Sequence, residues 1–285
     1  MRAAIVTQAG SQDTANEDWA GVAAPGLAVL LDGLSAPDGT GTGCRHGTPW
    51  YVSHLGPQLL ALASDPSRSL ADALAEAIRQ VASLHPGCDL THPGTPSATV
   101  VLLRTLDKGA DYLALADAVL LLDTTDGLKV VSDERVDQLA AKERAAAQVP
   151  SGSALKLRRR AQFTKALRRN RNRPGGYWVA AERSEAAYEA LTGDTPLSGV
   201  RTVVVATDGA TRLVDTLGWG DWRSGIAALR EDGAGPVAWI ARTRAAEREE
   251  AARPPDERRF SGKVHDDATL ALLRVRDERQ STACS

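Results

Sequence analysis

The chain has 285 residues, 43% of them hydrophobic, and a formal net charge of −2. That length can bury a sizeable core without disulfide staples, and the near-neutral charge excludes a general attraction to nucleic acid or to an anionic membrane. No apolar run reaches the ~18–20 residues of a membrane span and MRAAIVTQAG carries no signal-peptide pattern, so a cytoplasmic protein with no membrane and no nucleic-acid partner is expected.

Strands are predicted at AAIVT (3–7), DWAGVA (18–23) and LAVLL (27–31). Two helices follow, because Thr48-Pro49 and Asp65-Pro66 each put a capping residue ahead of a proline at a first helical position. In the second, Leu70, Leu74, Ile78, Val81 and Leu84 recur at spacings of four and three, which makes one apolar face. Strands come next at 97–104, through the run DYLALADAVLLLD (111–123), and at LKVV (128–131). Helices are predicted near 135–147 and 155–169, a strand at GYWVAA (176–181), and a helix near 184–191. A strand at RTVVVAT (201–207), helices near 221–230 and 236–251, and a strand at ATLALLRV (268–275) complete the chain. Several strands are continuously apolar, as strands covered on both faces are. Regular βαβ alternation is missing, which disfavours a doubly wound parallel sheet. Helix pairs flanking strand blocks predict α+β architecture, with helices outside a sheet-on-sheet centre. A single domain over 1–278 is read, with a charged flap-like segment at about 148–176 and a short tail at 279–285.

Aspartates interrupt or end these strands. Asn16-Glu17-Asp18 follows the first, Asp32-Gly33 ends LAVLL, Asp117 breaks LALADAVLLL, Asp208-Gly209 follows VVVAT, and Asp266-Asp267 opens the last strand. A single Asp-Gly is an ordinary turn. Asp117 is different: a carboxylate inside an apolar run is penalised by several kcal/mol unless a partner satisfies it. Converging carboxylates also repel one another, and a divalent cation removes that repulsion. Oxygen ligands without a Cys/His cluster favour Mg²⁺ or Mn²⁺ over zinc. Gly33, lacking a side chain, could turn its carbonyl toward such an ion. The cysteines Cys44, Cys88 and Cys284 are odd in number and without CxxC spacing, so neither a zinc site nor a disulfide framework is indicated.

The blocks NEDWAG (16–21), LLDGLS (30–35), GTPSATVVLL (94–103), LALADAVLLL (113–122), VVVATDGATRLVD (203–215) and VHDDATLALL (264–273) resemble, in order, those of the protein phosphatase 2C family of metal-dependent serine/threonine phosphatases. GCRHGTPWYV (43–52) and RPGGYWVA (173–180) suggest its actinobacterial-type branch. The resemblance implies an α-β-β-α sandwich, two mostly antiparallel sheets flanked by helix pairs, and hydrolysis of phosphoserine or phosphothreonine in a phosphoprotein or phosphopeptide by a metal-bridging hydroxide. It implies that Asp32 bridges two Mn²⁺ or Mg²⁺ ions, with the Gly33 carbonyl beside it. Asp208 and Asp266 would hold the first ion, Asp18 with Glu17 the second, and Asp117 a third. Asp267 stands where the family has Asn, which suits a supporting place beside the ligands. A monomer is expected.

The substrate side departs from the family. Asp13 occupies the position of its phosphate-binding arginine, and LSAP follows Asp32-Gly33 where a histidine or glycines are usual. That leaves a second reading, a metal-binding pseudophosphatase serving as a regulatory or phosphopeptide-binding module. Residues 156–173 carry nine basic residues and no acidic one; they read as a solvated helix, as a flap that recruits substrate or, least of the three because no aromatic platform lies beside them, as a nucleic-acid patch. Arg45 could bind phosphate, and His46 could be a general acid for the leaving oxygen or a hydrogen-bonder at the helix entry. Cys44 reads as a small filler.

Overall fold

The computed structural model describes residues 1–34, 41–107, 109–139, 168–231, 235–254, 257–260 and 263–275. Among these residues, ten strands form two five-stranded sheets. The first contains β1 (Arg2–Gln8), β6 (Val119–Thr124), β7 (Gly127–Val131), β9 (Val200–Ala206) and β10 (Ala268–Arg274), in the order β1-β10-β9-β6-β7. The second contains β2 (Trp19–Ala23), β3 (Leu27–Leu34), β4 (Ser97–Leu106), β5 (Gly109–Leu115) and β8 (Leu191–Pro196), in the order β2-β3-β4-β5-β8. Neighbouring strands are antiparallel throughout both sheets.

Three apolar layers show why the strands read as continuously hydrophobic. Leu27, Val29 and Leu31 of β3 face the helices α1 (Thr48–Ala63) and α2 (Leu70–Ser83). Ala28 and Leu30, the alternate residues, face Leu120, Val203, Val205 and Leu273 of the other sheet. The outer face of that sheet (Leu121, Val204, Leu270) packs on α3 (Asp208–Asp215), α4 (Trp222–Arg230) and α5 (Gly235–Ala251). Both faces of each sheet are thus apolar, and the molecule is the predicted α-β-β-α sandwich. Arg104 on β4, almost wholly buried, fastens α1 to its sheet: it grips Asp111 through two bonds and donates to the carbonyl of Ala63, the last residue of the helix, and to those of Asp65 and Arg68 beyond it.

Some elements differ from the sequence prediction. The run 111–123 is two strands: β5 and β6 belong to different sheets, and the chain crosses between them at Ala116-Asp117. Ala116 takes the left-handed conformation there, with φ 65°, an arrangement costing roughly 1 kcal/mol for a non-glycine residue. Helix α2 begins after Ser69, whose hydroxyl accepts from the Asp72 N–H, while Asp65 caps a preceding turn. Residues 184–189 are a 3₁₀ turn. GYWVAA forms isolated bridges to Ala98 and Arg171 in place of a strand. Asp208-Gly209 opens helix α3, where the sequence reading has a strand end and no helix. Of the helices near 135–147 and 155–169, and of the flap-like segment, residues 140–167 lie outside the described residues. Among the described residues, no helix is long and apolar enough to cross a membrane.

Candidate metal centre

Strand register brings the aspartates to one end of both sheets. Trp19, next to Asp18, pairs with Leu31, next to Asp32; Leu31 pairs with Val100, and Val100 with Leu115 at the end of β5. On the other sheet Val119, just after Asp117, pairs with Ala206, which pairs with Leu270. Asp18 and Asp32 therefore come from one layer, Asp208 and Asp266 from the other, and Asp117 from the crossing between them.

Few hydrogen bonds neutralise these groups. The Thr207 hydroxyl donates to Asp18 Oδ2 at 3.0 Å, and itself accepts from the Thr269 N–H. The Asp208 N–H points to Asp32 Oδ2 at a long 3.4 Å. The carboxylates feel one another instead. Burial first, and then Asp208, Asp18, Asp117 and Asp266 in turn, push Asp32 well above the ordinary carboxylate range. Burial raises Asp18 and Asp117 each to about 7, with Asp208 contributing to both. Asp208 keeps an open side toward solvent, but the protein behind it and neighbouring Asp266 raise it to about 6.

In the metal-free fold these carboxyls hold protons that the unfolded chain, at about 4, releases. The folded state therefore binds more protons between pH 4 and pH 7, and its stability falls as pH rises through that window. Calorimetry without metal should show a melting temperature several degrees lower at pH 8 than at pH 5, with Mn²⁺ removing the difference. A metal-free melting temperature that stays level or rises over that range would contradict the reading.

Asp266 is held by a charged hub. Arg212 on α3 donates to Asp266 Oδ2 at 3.3 Å and to Glu247 Oε1 at 2.9 Å. Glu247 on α5 has no exposed side-chain surface; its Oε2 also takes Arg244 at 2.9 Å and His265 Nδ1 at 2.6 Å. Arg244 closes the circuit by donating to the carbonyls of Asp266 and Gln8. The exposed Lys263 ammonium stands 3.6 Å from Asp266 Oδ1.

The other predicted residues divide. Asp267 accepts the N–H groups of Gly10 (2.7 Å) and Glu17 (2.6 Å), one on each oxygen, so it clamps two loops beneath the site. Gly33 is needed for close approach: a Cβ there would overlap the Glu17 carbonyl and the Thr48 methyl. A Cβ on Gly209 would likewise overlap the Asp267 carbonyl, where α3 meets the lead-in to β10. Asp13 is exposed, its N–H bonded to Ser11 Oγ. Arg45 and His46 join a different group. His46 stacks on Trp50 at 4.4 Å between ring centroids and lies against Cys44, Cys88 and His85, while Arg45 reaches its Nε2 at 3.4 Å.

No protein-family model matches the sequence, and no curated protein matches it. Solved structures do. A crystal structure of a bacterial serine phosphatase matches with a TM-score of 0.59 at 12% identity, over 98% of this chain and 99% of that one. Serine/threonine phosphatase Stp1 from Staphylococcus aureus matches at 0.58 and 12% identity, over 96% and 95%. The fold is that of bacterial serine/threonine phosphatases. The PPM phosphatase MsPP from Mycobacterium smegmatis, solved with cacodylate, also matches at 0.52 and 13% identity, over 97% and 99%.

Beyond the predicted residues, the site relies on Thr207, Arg212, Arg244 and Glu247. A signal for two of them, Arg244 and Glu247, is present. Thr243, Arg244, Glu247 and Glu250 continue, at helical spacing, the buried stripe begun by Trp239 and Ile240.

Proposed function

We propose that this chain is a Mn²⁺- or Mg²⁺-dependent phosphatase acting on phosphoserine and phosphothreonine monoesters of a protein or peptide. The observation that carries the reading is the convergence of four aspartates from opposite sheets, three of which, Asp18, Asp32 and Asp208, are raised by burial and by their acidic neighbours. Oxygen donors alone suit a hard cation. Asp32, Asp18, Asp208 and Asp266 would hold two ions together with the Gly33 carbonyl, and Asp117 would serve a third. Glu17 would contribute through its place beside Gly33, and Asp267 by fixing the loops. Bound ions of this kind lower the pKa of a water and draw charge from phosphoryl oxygens. The chain's own part is to orient. Thr207 fixes Asp18, Arg212 fixes Asp266, and the register of β2, β3, β9 and β10 sets the spacing between the pairs. Lys263 supplies a positive charge at the rim that supports a contact with substrate phosphate.

Release of phosphate from a small aryl phosphate, measured with and without Mn²⁺, tests the proposal; absence of metal-stimulated turnover on any phosphoester would end it. Lys263→Ala should raise KM severalfold and leave kcat little changed, the pattern of a lost binding contact. An equal fall in kcat and kcat/KM would assign Lys263 elsewhere. The pseudophosphatase reading keeps one observation in its favour, the exposed acid Asp13 at the position of the family's phosphate-binding arginine. It predicts Mn²⁺ uptake and phosphopeptide binding by calorimetry, without turnover.

A further inference from the structure

A second cluster of ligating side chains lies outside the carboxylates. Cys44 and His46 sit on the loop entering α1, and Cys88 on the turn leaving α2; the Asp89 N–H donates to the Gly43 carbonyl at 2.8 Å and holds the two loops together. Both cysteines are free and part-buried. Among the described residues, these three supply the trio of ligand atoms that falls within 4.8 Å of one another. His46 Nδ1 is 3.6 Å from Cys44 Sγ and 3.8 Å from Cys88 Sγ. Sulfur and nitrogen ligands bound tetrahedrally at about 2.3 and 2.1 Å from one zinc ion stand about 3.6 Å apart. The His46 backbone N–H also donates to Cys44 Sγ at 3.3 Å.

His85 provides the independent observation. It is 7% exposed and its Nδ1 lies 2.9 Å from the Val81 carbonyl, so Nδ1 carries the proton and donates it. Nε2 is then a bare lone pair, buried and without a hydrogen-bond partner, a loss of about 1–3 kcal/mol. The ring lies edge-on to that of His46, centroids 5.0 Å apart. A histidine whose other nitrogen donates to a backbone carbonyl is the arrangement that prepares an imidazole to ligate a metal.

We propose that Cys44, Cys88 and His46 form a structural site for a zinc-class ion, one that staples the entry of α1 to the end of α2, and that His85, neither of whose nitrogens lies within 4.8 Å of all three ligand atoms, turns in to close it as the fourth ligand. Two thiolates and two imidazoles suit zinc and are a poor match for Mg²⁺ or Mn²⁺. Coordination through Nδ1 of His46 leaves its proton on Nε2, so the long Arg45 contact would lapse. The site is separate in chemistry from the carboxylate centre.

The test uses the full chain, reduced and stripped of metal, titrated with Co²⁺. The expected spectrum has the intense visible bands of tetrahedral Co²⁺ and a thiolate-to-metal charge-transfer band, all displaced by Zn²⁺. Cys44→Ser combined with Cys88→Ser should abolish the charge-transfer band. His85→Ala should retain it and weaken affinity about tenfold or more. Asp32→Asn should leave the spectrum intact, which separates this site from the proposed phosphatase centre. Absence of the charge-transfer band in the natural chain, its persistence in the double serine variant through Cys284, or unaltered affinity in His85→Ala would each overturn the proposal. Should the cysteine variants fail to fold by circular dichroism, the natural chain's spectrum and its displacement by Zn²⁺ decide alone.

Discussion

Asp32→Asn is expected to stabilise the metal-free protein and abolish the proposed phosphatase activity, two effects of opposite sign from one carboxylate. Without metal, Asp32 is crowded by Asp208, Asp18, Asp117 and Asp266, and the amide removes a charge that the fold must otherwise neutralise by protonation. A gain of about 1 kcal/mol would raise the melting temperature by about 2–4 °C. With metal, the same change deletes the ligand proposed to join two ions. Metal assistance is worth several kcal/mol in the transition state, and at 1.4 kcal/mol per decade its loss amounts to about 10³-fold in rate. The measurements are thermal melts in chelator at pH 7.5 and Mn²⁺-dependent turnover on an aryl phosphate. A variant that loses stability in chelator would show that Asp32 is held by favourable contacts, against the crowding argued above. One that keeps wild-type turnover would remove Asp32 from the centre.

Glu247→Ala should be the most destabilising single change at this end of the molecule. It leaves Arg212 and Arg244, 13% and 7% exposed, without the carboxylate that binds both. Breaking one partner out of a buried ionic group costs about 3–5 kcal/mol, or a melting temperature lower by about 10 °C. Glu247→Gln keeps one acceptor and should fall between. Because Arg212 and Arg244 also hold Asp266 by its carboxylate and its carbonyl, both variants should bind Mn²⁺ more weakly than the natural chain. Urea denaturation and a metal titration read the two effects separately; a Glu247→Ala protein within about 1 kcal/mol of the natural one would show that the hub is expendable.

The layered fold and the carboxylate blocks were legible because each depends on local pattern. LAVLL and RTVVVAT are apolar on both faces, and a strand with two apolar faces has to lie between layers. The aspartates stood out because they sit where such strands end. What escaped depends on contacts between distant segments. DGATRLVD is only eight residues long and opens with Asp-Gly, so turn chemistry masked a helix. β8, LTGDTP, has little apolar character because it is an edge strand held by backbone pairing to β5. The end of α5, RTRAAEREE, is mostly charged, and what buries Glu247 there is its partners on α3 and on the segment before β10. Cys44 and Cys88 are separated by a pair of helices, and their proximity follows from the α1–α2 hairpin, which spacing rules for metal motifs do not cover.

The aspartate pairs have a mechanical meaning as well. Asp18 and Asp32 ride on one sheet, Asp208 and Asp266 on the other, and between the sheets lies a layer of apolar side chains. Apolar contact is non-directional and tolerates small slips; shared coordination does not. An ion held by both pairs would act as a pin through the sandwich, fixing the offset of one layer against the other. Loading would then be read in the sharpness of the thermal transition: the pinned layers melt as one cooperative unit, and the unpinned ones over a broader range.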